Sequence, residues 1–133
     1  MKDTIDNFMT KHVQTVEASC TLREVYAIMR DRKIRHLPVL EAKRLVGIVS
    51  ERDLTLVETF GYVNSETLAV AEVMSEEVFV VEPTASVRAV ARRMAREKLG
   101  SAVIVSGGNV IGIFTVIDAL RALDAIFDDR AAA

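Results

Sequence analysis

The stretch GIVSERD at residues 47–53 returns as GIFTVID at residues 112–118. Each copy runs from an apolar segment through a Ser or Thr to an Asp, which is typical of a strand that leads directly into a helix. The offset of 65 residues holds without a gap from residues 9–54 onto residues 74–119, and 11 of those 46 positions are identical. A gapless match of this length indicates two copies of one structural unit.

The two copies predict the same order of elements. An alternating strand opens the first copy at residues 13–16, and a helix with one apolar face follows at residues 22–29. Two apolar strands then form a hairpin, whose turn in the second copy is Gly107-Gly108. A helix closes each copy, at residues 51–60 and at residues 116–127. The predicted order of each copy is therefore β-α-β-β-α.

The predicted fold class is α/β, of the α+β kind, with two pseudo-symmetric repeats packed sheet to sheet. A single copy is too small to bury both faces of its sheet, so the copies are expected to pack on each other. The first repeat with a lead-in helix is assigned to residues 1–60, and a linker with the second repeat to residues 61–133. Lead-in helices are predicted at residues 4–9 and 68–74, and the two repeats form one module.

Composition and charge argue against several classes of protein. The chain has 133 residues, of which 50% are hydrophobic, so it can bury a core and is not disordered. No apolar run approaches the ~20 residues of a membrane span, and no apolar signal region is visible at the amino terminus. We therefore expect a cytoplasmic protein. The net charge of −2 argues against a general nucleic-acid binder.

The cysteine and histidine content argues against a metal centre. Cys20 is the single cysteine, which excludes an internal disulfide and a cysteine-based metal site. His12 and His36 have no paired Cys or Glu, so no metal site is predicted. Cys20 stands near a helix start, where its pKa could be lowered, but a small core residue is the favoured interpretation.

Two interpretations fit the pairs Ser50 with Asp53 and Thr115 with Asp118. A Ser or Thr followed three residues later by an acid forms a capping box, worth about 1 kcal/mol per helix. An Asp at a strand end can instead accept both hydroxyls of a ribose. The Ser or Thr hydroxyl and the first helical N–H groups can then bind a phosphate. A glycine three residues before each Ser or Thr lets another group approach the strand closely.

The chain resembles the CBS-domain pair, or Bateman module, over residues 4–125. The resemblance is carried by RHLPV at residues 35–39, GSAVI at residues 100–104 and the two stretches quoted above. Members of this family commonly bind AMP, ADP, ATP, NAD(H) or S-adenosylmethionine, and they regulate an enzyme, transporter or channel. The resemblance implies a regulatory module of the stand-alone bacterial or archaeal type, which senses energy or cofactor state for a separate partner. AMP is the expected ligand, with no required cofactor and no catalytic residue.

The resemblance also implies two ligand pockets, each shared between the copies. One set of residues is Gly112, Thr115 and Asp118 with Thr10, Gln14, Thr15, Ile34, Arg35, His36 and Pro38. The other set is Gly47, Ser50 and Asp53 with Ser75, Phe79, Val80, Leu99, Gly100, Ser101 and Val103. Arg35 and His36 can meet phosphate oxygens, whereas the candidate cations of the other set are Arg52 and Lys98 alone. The Asp118 pocket is therefore expected to bind a charged nucleotide more tightly. The plainer interpretations are a solvated Arg35 and a His36 that satisfies the strand end.

The surface pattern predicts a homodimer. Apolar residues cluster on the closing helices, at Leu54, Leu56, Val57 and Phe60 and at Leu120, Leu123, Ile126 and Phe127. A ligand-free dimerisation or scaffold protein is therefore the alternative function. An enzyme is the least favoured class, because the sequence shows no nucleophile–base pair and no P-loop. The charged run at residues 92–98 is interpreted as a solvated helix face.

Overall fold

The structure is a computed structural model that describes residues 3–61 and 63–132. In chain order its strands are β1 (Thr10–Lys11), β2 (Val16–Glu17), β3 (His36–Glu41), β4 (Arg44–Ser50), β5 (Val80–Val81), β6 (Ser101–Ser106) and β7 (Asn109–Thr115). Its helices are α1 (Leu22–Arg32), α2 (Glu51–Glu58), α3 (Val87–Glu97) and α4 (Val116–Ala132). Short 3-10 helices lie at Ile5–Asn7 and Val70–Glu72. The predicted α+β class and the β-α-β-β-α order of each repeat are confirmed.

The chain folds into two compact units. One unit lies within Gln14–Val78, and the other joins residues 3–13 to residues 79–132. The boundaries of these units differ from the sequence division at residue 60, because residues 3–13 belong to the unit of the second repeat.

The unit of the first repeat is a three-stranded sheet in the order β2-β3-β4. β2 runs parallel to β3, with Val16 opposite Val39, and β3 and β4 are antiparallel, with Leu37 opposite Val49. Apolar side chains of α1 pack on this sheet because they recur at helical spacing. The buried core consists of Val16, Leu22, Val25, Met29, Leu37, Val39, Val49, Leu54 and Val70.

The unit of the second repeat is a four-stranded sheet in the order β1-β7-β6-β5. β5 runs parallel to β6, with Val80 opposite Val103, and β6 and β7 are antiparallel. β1 adds to the edge of β7 in antiparallel register, with Thr10 opposite Ile113. The buried core consists of Ile5, Val87, Val90, Met94, Ala102, Ile104, Phe114 and Ala122.

Each unit is completed by the lead-in segment that precedes the other repeat in sequence. Ile5 is fully buried in the core of the second-repeat unit, where its N–H donates to the carbonyl of Ala85 at 2.7 Å. Val70 is fully buried in the core of the first-repeat unit, where its N–H donates to the carbonyl of Cys20 at 2.7 Å. A short helix forms within each predicted lead-in segment, and each is a single 3-10 turn.

Both long hairpins have two-residue turns with left-handed backbone at both turn positions. The turn of the second repeat uses Gly107 at φ 57° and Gly108 at φ 80°, which only glycine adopts without steric cost. The turn of the first repeat places Ala42 at φ 49° and Lys43 at φ 66°. Because a Cβ atom makes this conformation unfavourable, the first turn is strained where the second is relaxed.

We predict that the double variant Ala42→Asn/Lys43→Gly is more stable than the wild type. Asn and Gly are the residues that this turn type favours, so the free energy of unfolding should rise by about 1 kcal/mol. Thermal unfolding followed by circular dichroism should show a midpoint higher by about 4 °C. The control variant Gly107→Ala/Gly108→Ala should have a lower unfolding midpoint than the wild type. An unchanged midpoint in the Ala42→Asn/Lys43→Gly variant would contradict the conclusion that the first turn is strained.

Candidate functional site

Each unit carries a polar junction where its last strand runs directly into a helix. In the first-repeat unit β4 ends at Ser50, and the N–H of Ser50 donates to Asp53 Oδ2 at 2.8 Å. The N–H of Asp53 donates back to Ser50 Oγ at 3.1 Å. These reciprocal hydrogen bonds form a capping box that satisfies two N–H groups at the start of α2. The capping interpretation of this pair is confirmed.

The second-repeat unit repeats the junction at Thr115 and Asp118. The N–H of Thr115 donates to Asp118 Oδ2 at 2.9 Å, and the hydroxyl of Thr115 donates to the same oxygen at 3.2 Å. The hydroxyl of Thr10 on β1 donates to Asp118 Oδ1 at 2.8 Å, and Arg121 Nη1 lies 3.7 Å from that oxygen. Both carboxylate oxygens are engaged, and the Asp118 residue is 4% exposed. The lead-in segment therefore closes over this acid.

Asp53 has a more open environment than Asp118. Ser75 occupies the repeat position equivalent to Thr10, but its hydroxyl donates to the carbonyl of Glu77 at 3.4 Å. Within residues 3–61 and 63–132, no group donates a hydrogen bond to Asp53 Oδ1. Asp53 is also only half-buried. One of its oxygens is therefore open to a hydroxyl of a ligand.

The glycine that precedes each junction accommodates the lead-in segment. A Cβ atom on Gly47 would lie 2.4 Å from Met74 Sδ and 2.9 Å from the carbonyl oxygen of Ser75. A Cβ atom on Gly112 would lie 2.4 Å from Met9 Sδ. The predicted close approach at these glycines is confirmed, and the approaching group is part of the protein.

Two predicted phosphate-binding residues lie beside the Ser50–Asp53 junction. His36 opens β3 directly opposite Ser50, and the carbonyl of Arg35 accepts a hydrogen bond from the N–H of Glu51 at 2.8 Å. The Arg35 side chain is exposed. The equivalent positions of the other unit carry Gly100 and Ser101, the latter opposite Thr115 in the sheet. Within a single unit, the cation thus accompanies Asp53.

The structure distributes the other predicted residues over both units. Gln14, Thr15 and Ile34 are half-buried in the first-repeat unit, where Pro38 is buried within β3. In the second-repeat unit Val80 is 47% exposed, and Phe79, Leu99 and Ser101 are half-buried while Val103 is buried. The sharing of each pocket between repeats stays a prediction. Sequence reasoning missed Arg121, although a cation three residues after Asp118 lies on the same helical face.

His36 is neutral at pH 7. Burial of the imidazole is the main cause that lowers its pKa, and the Arg35 charge lowers it further. The carboxylates of Asp53 and Glu51 raise the pKa of His36 but do not outweigh the burial. A neutral imidazole can donate one hydrogen bond to a phosphate, so of these two residues Arg35 is the one with a full positive charge.

Cys20 is a packing residue rather than a reactive thiol. Its Sγ donates to Glu24 Oε2 at 2.8 Å, and the side chain packs against the first-repeat core. Burial and the Glu24 carboxylate raise the pKa of Cys20 to about 12. The alternative of a lowered thiol pKa is wrong, and the thiol stays protonated at neutral pH.

The described residues contain no metal-binding cluster. No three His, Cys, Asp or Glu side chains within 3–61 and 63–132 are grouped so that they could hold a metal ion. Among the same residues, none of the helices has the length and apolar character required to cross a membrane.

Comparison with known proteins identifies the family of this chain. The family model of the CBS domain matches residues 5–58 and 70–125, so the chain belongs to the CBS-domain family and carries two copies of the domain. The CBS domain-containing protein YhcV of Bacillus subtilis is 31% identical over 118 residues, which are 89% of this chain and 81% of that protein.

Solved structures share the whole fold. The protein AcuB from Vibrio cholerae superposes with a TM-score of 0.89 and 29% identity, covering 100% of this chain and 98% of that one. CBSX2 in complex with AMP superposes with a TM-score of 0.78 and 28% identity, covering 92% and 97%. The chain spans only 22% to 43% of several other curated relatives, two of which are named as enzymes.

We predict that His36 makes the fold sensitive to mild acid. Because folding lowers its pKa, the folded state binds a proton less readily than the unfolded chain. The stabilisation is therefore complete above the ordinary pKa of 6.5 and is lost as the pH falls through that value toward the lowered one. The midpoint temperature of thermal unfolding should be lower at pH 5.5 than at pH 7.5, and His36→Gln should reduce this difference.

The matched control for this prediction is His12→Gln. His12 is exposed and follows β1 in the second-repeat unit. Its replacement should leave the difference in midpoint temperature between pH 7.5 and pH 5.5 unchanged. An equal decrease of the midpoint temperature in wild type and in His36→Gln would contradict the assignment of this pH dependence to His36.

Proposed function

We propose that the chain is a regulatory module that binds an adenosine nucleotide, with AMP as the principal ligand. The observation that carries the proposal is the pair of strand-to-helix junctions, each with an Asp and a hydroxyl at a helix N-terminus. At such a junction an Asp can accept ribose hydroxyls, and free helical N–H groups can bind phosphate. The AMP complex of CBSX2, 28% identical to this chain, supports the same ligand class. The module acts on a separate partner in the cytoplasm.

We assign the tighter site to Asp118, combined with Arg35 as the resemblance implies. The assignment rests on charge, because Arg35 is the permanent cation among the predicted phosphate-binding residues while His36 is neutral at pH 7. A charge-assisted hydrogen bond contributes about 1.5–3 kcal/mol. At Asp118 a ribose hydroxyl would share Oδ1 with the Thr10 hydroxyl, whereas no described residue donates a hydrogen bond to Asp53 Oδ1. In the shared arrangement that the resemblance implies, Asp53 is combined with Gly100 and Ser101 rather than with Arg35, so its site is suited to a less charged ligand such as adenosine.

We predict that AMP binding depends on Asp118 and Arg35. Isothermal titration calorimetry should show that Asp118→Asn weakens AMP at least tenfold, while Asp53→Asn leaves the tighter site nearly unchanged. Arg35→Ala should weaken AMP roughly ten- to a hundredfold but adenosine by much less, because only AMP carries the phosphate. Arg32→Ala removes an exposed arginine at the end of α1 and serves as the matched control.

Three outcomes would contradict this proposal, at two different levels. An absence of binding heat for AMP, ADP, ATP, NADH and S-adenosylmethionine at millimolar concentration would refute the nucleotide-binding function. Equal losses from Asp53→Asn and Asp118→Asn, or an equal effect of Arg35→Ala on AMP and adenosine, would refute only the assignment of residues.

The second candidate function is a ligand-free dimerisation or scaffold protein. The capping boxes favour it, because the Oδ2 oxygens of Asp53 and Asp118 are already used to stabilise helices. This function requires no ligand but does require association between chains. It is the remaining candidate if calorimetry shows no nucleotide binding and the chain is a dimer.

The surface of α4 supports a homodimer. Five apolar residues of α4 are each at least half-exposed, namely Val116, Ile117, Leu120, Leu123 and Phe127. Four of them recur at spacings of four, three and four residues, which forms one continuous stripe along a helix. The predicted dimer residue Leu54 is fully buried in the first-repeat core, and Val57 packs against that core, so neither belongs to an exposed face. Leu56 and Phe60 are 64% and 50% exposed.

We predict that Leu120→Asp converts a dimer into a monomer. A charge in the middle of the stripe would be desolvated on association, so the dimer should dissociate without loss of the fold. Sedimentation velocity at micromolar concentration should show twice the chain mass of 14.7 kDa for wild type and 14.7 kDa for the variant. Asp129→Lys, which changes a charge away from the stripe, should remain dimeric. A monomeric wild type would contradict the prediction.

A further inference from the structure

Helix α3 of the second-repeat unit has a basic face opposite its buried face. Val87, Val90 and Met94 point into the core. Arg88, Arg92 and Arg96 follow one another at four-residue spacing, so they lie on one face about 6 Å apart along the axis. All three are exposed. We call this set the arginine stripe.

The arginine stripe has no acidic partner among residues 3–61 and 63–132. On α3 only Arg93 is paired, with its Nε 2.7 Å from Glu97 Oε2 and its guanidinium 4.3 Å from the centroid of the Phe79 ring. Like charges at four-residue spacing destabilise a helix slightly. The stripe is therefore mildly unfavourable in the isolated chain, although the net charge of the whole chain is −2.

The equivalent helix of the first repeat shows that the fold does not require this stripe. The three positions that correspond to it on α1 carry Arg23, Ala27 and Asp31. Arg23 forms an ion pair with Glu66, and Asp31 forms one with Arg30 at 3.4 Å. The first helix thus pairs the charged residues at these positions, while the second has three unpaired arginines on the face turned away from its core.

We propose that the arginine stripe docks an acidic helical segment of a partner protein. Carboxylates spaced three to four residues apart on a facing helix would match the axial spacing of the arginines, and a guanidinium can bind a carboxylate through two parallel hydrogen bonds. The stripe is flanked by Ala89 and Ala95, and it has no aromatic side chain on which a base could stack. Charge complementarity with a protein helix is therefore favoured over nucleic acid. The proposal is independent of nucleotide binding.

The test uses the full chain and a labelled synthetic peptide. The probe is an alanine-rich helical peptide with Glu at every fourth position over three turns, and its comparison is a peptide of equal charge with the Glu residues clustered at one end. Fluorescence anisotropy at 0.15 M salt should show tighter binding of the spaced peptide. The triple variant Arg88→Glu/Arg92→Glu/Arg96→Glu should weaken that binding at least tenfold.

The matched control is Arg23→Glu/Arg30→Glu/Arg32→Glu, which reverses three charges on α1. Circular dichroism shows for both triple variants whether the fold is retained, and the single variant Arg92→Ala keeps the test valid if a triple variant unfolds. The control should bind the spaced peptide within threefold of wild type. Equal binding of the two peptides, or equal losses from the two triple variants, would overturn the proposal. Tighter binding of a single-stranded RNA oligonucleotide through the same three arginines would also overturn it.

Discussion

The docking of a lead-in segment against a strand glycine is the contact on which the rest of each unit depends. Gly112 lets the chain at Met9 and Thr10 lie against β7, and Gly47 lets the chain at Met74 and Ser75 lie against β4. The same contact buries Ile5 or Val70 in the core. Since interiors are close-packed, a Cβ at Gly47 would force the backbone at Ser75 to shift, and a Cβ at Gly112 would force the Met9 side chain to move.

This docking also sets the difference between the two candidate ligand acids. In the second-repeat unit the lead-in segment brings Thr10 onto Asp118 and occupies its second oxygen. In the first-repeat unit Ser75 turns to the Glu77 carbonyl instead, and Asp53 keeps one oxygen open. The two equivalent junctions therefore differ in the availability of their Asp, because a Thr and a Ser at equivalent positions donate to different acceptors. Asp53 and Asp118 therefore have different environments, even though they occupy equivalent positions in the sequence repeat.

The local elements could be predicted from the sequence, and their assembly could not. Apolar spacing and the Gly107-Gly108 turn predict the strands, helices and hairpins, because these depend on residues near one another in the chain. The return of the first residues to β7 depends on a contact across about a hundred residues, which no local pattern encodes. The resemblance to the family, and no local pattern, groups Thr10 with Asp118, and the structure joins the two by a hydrogen bond. Leu54 is buried because α2 packs against the core of the first-repeat unit. α4 extends five residues beyond the predicted end, since residues 128–132 contain no Gly or Pro to stop it.

The crossing of the lead-in segments has a consequence for the repeat as a building block. One repeat with its own lead-in segment contains a strand and an apolar anchor that its own sheet does not use. Two separate copies could be completed only if each gave its lead-in segment to the other, which is the arrangement of a domain-swapped dimer. Joining the copies in one chain turns that exchange between molecules into an exchange within one molecule, so that completion of the fold no longer depends on protein concentration.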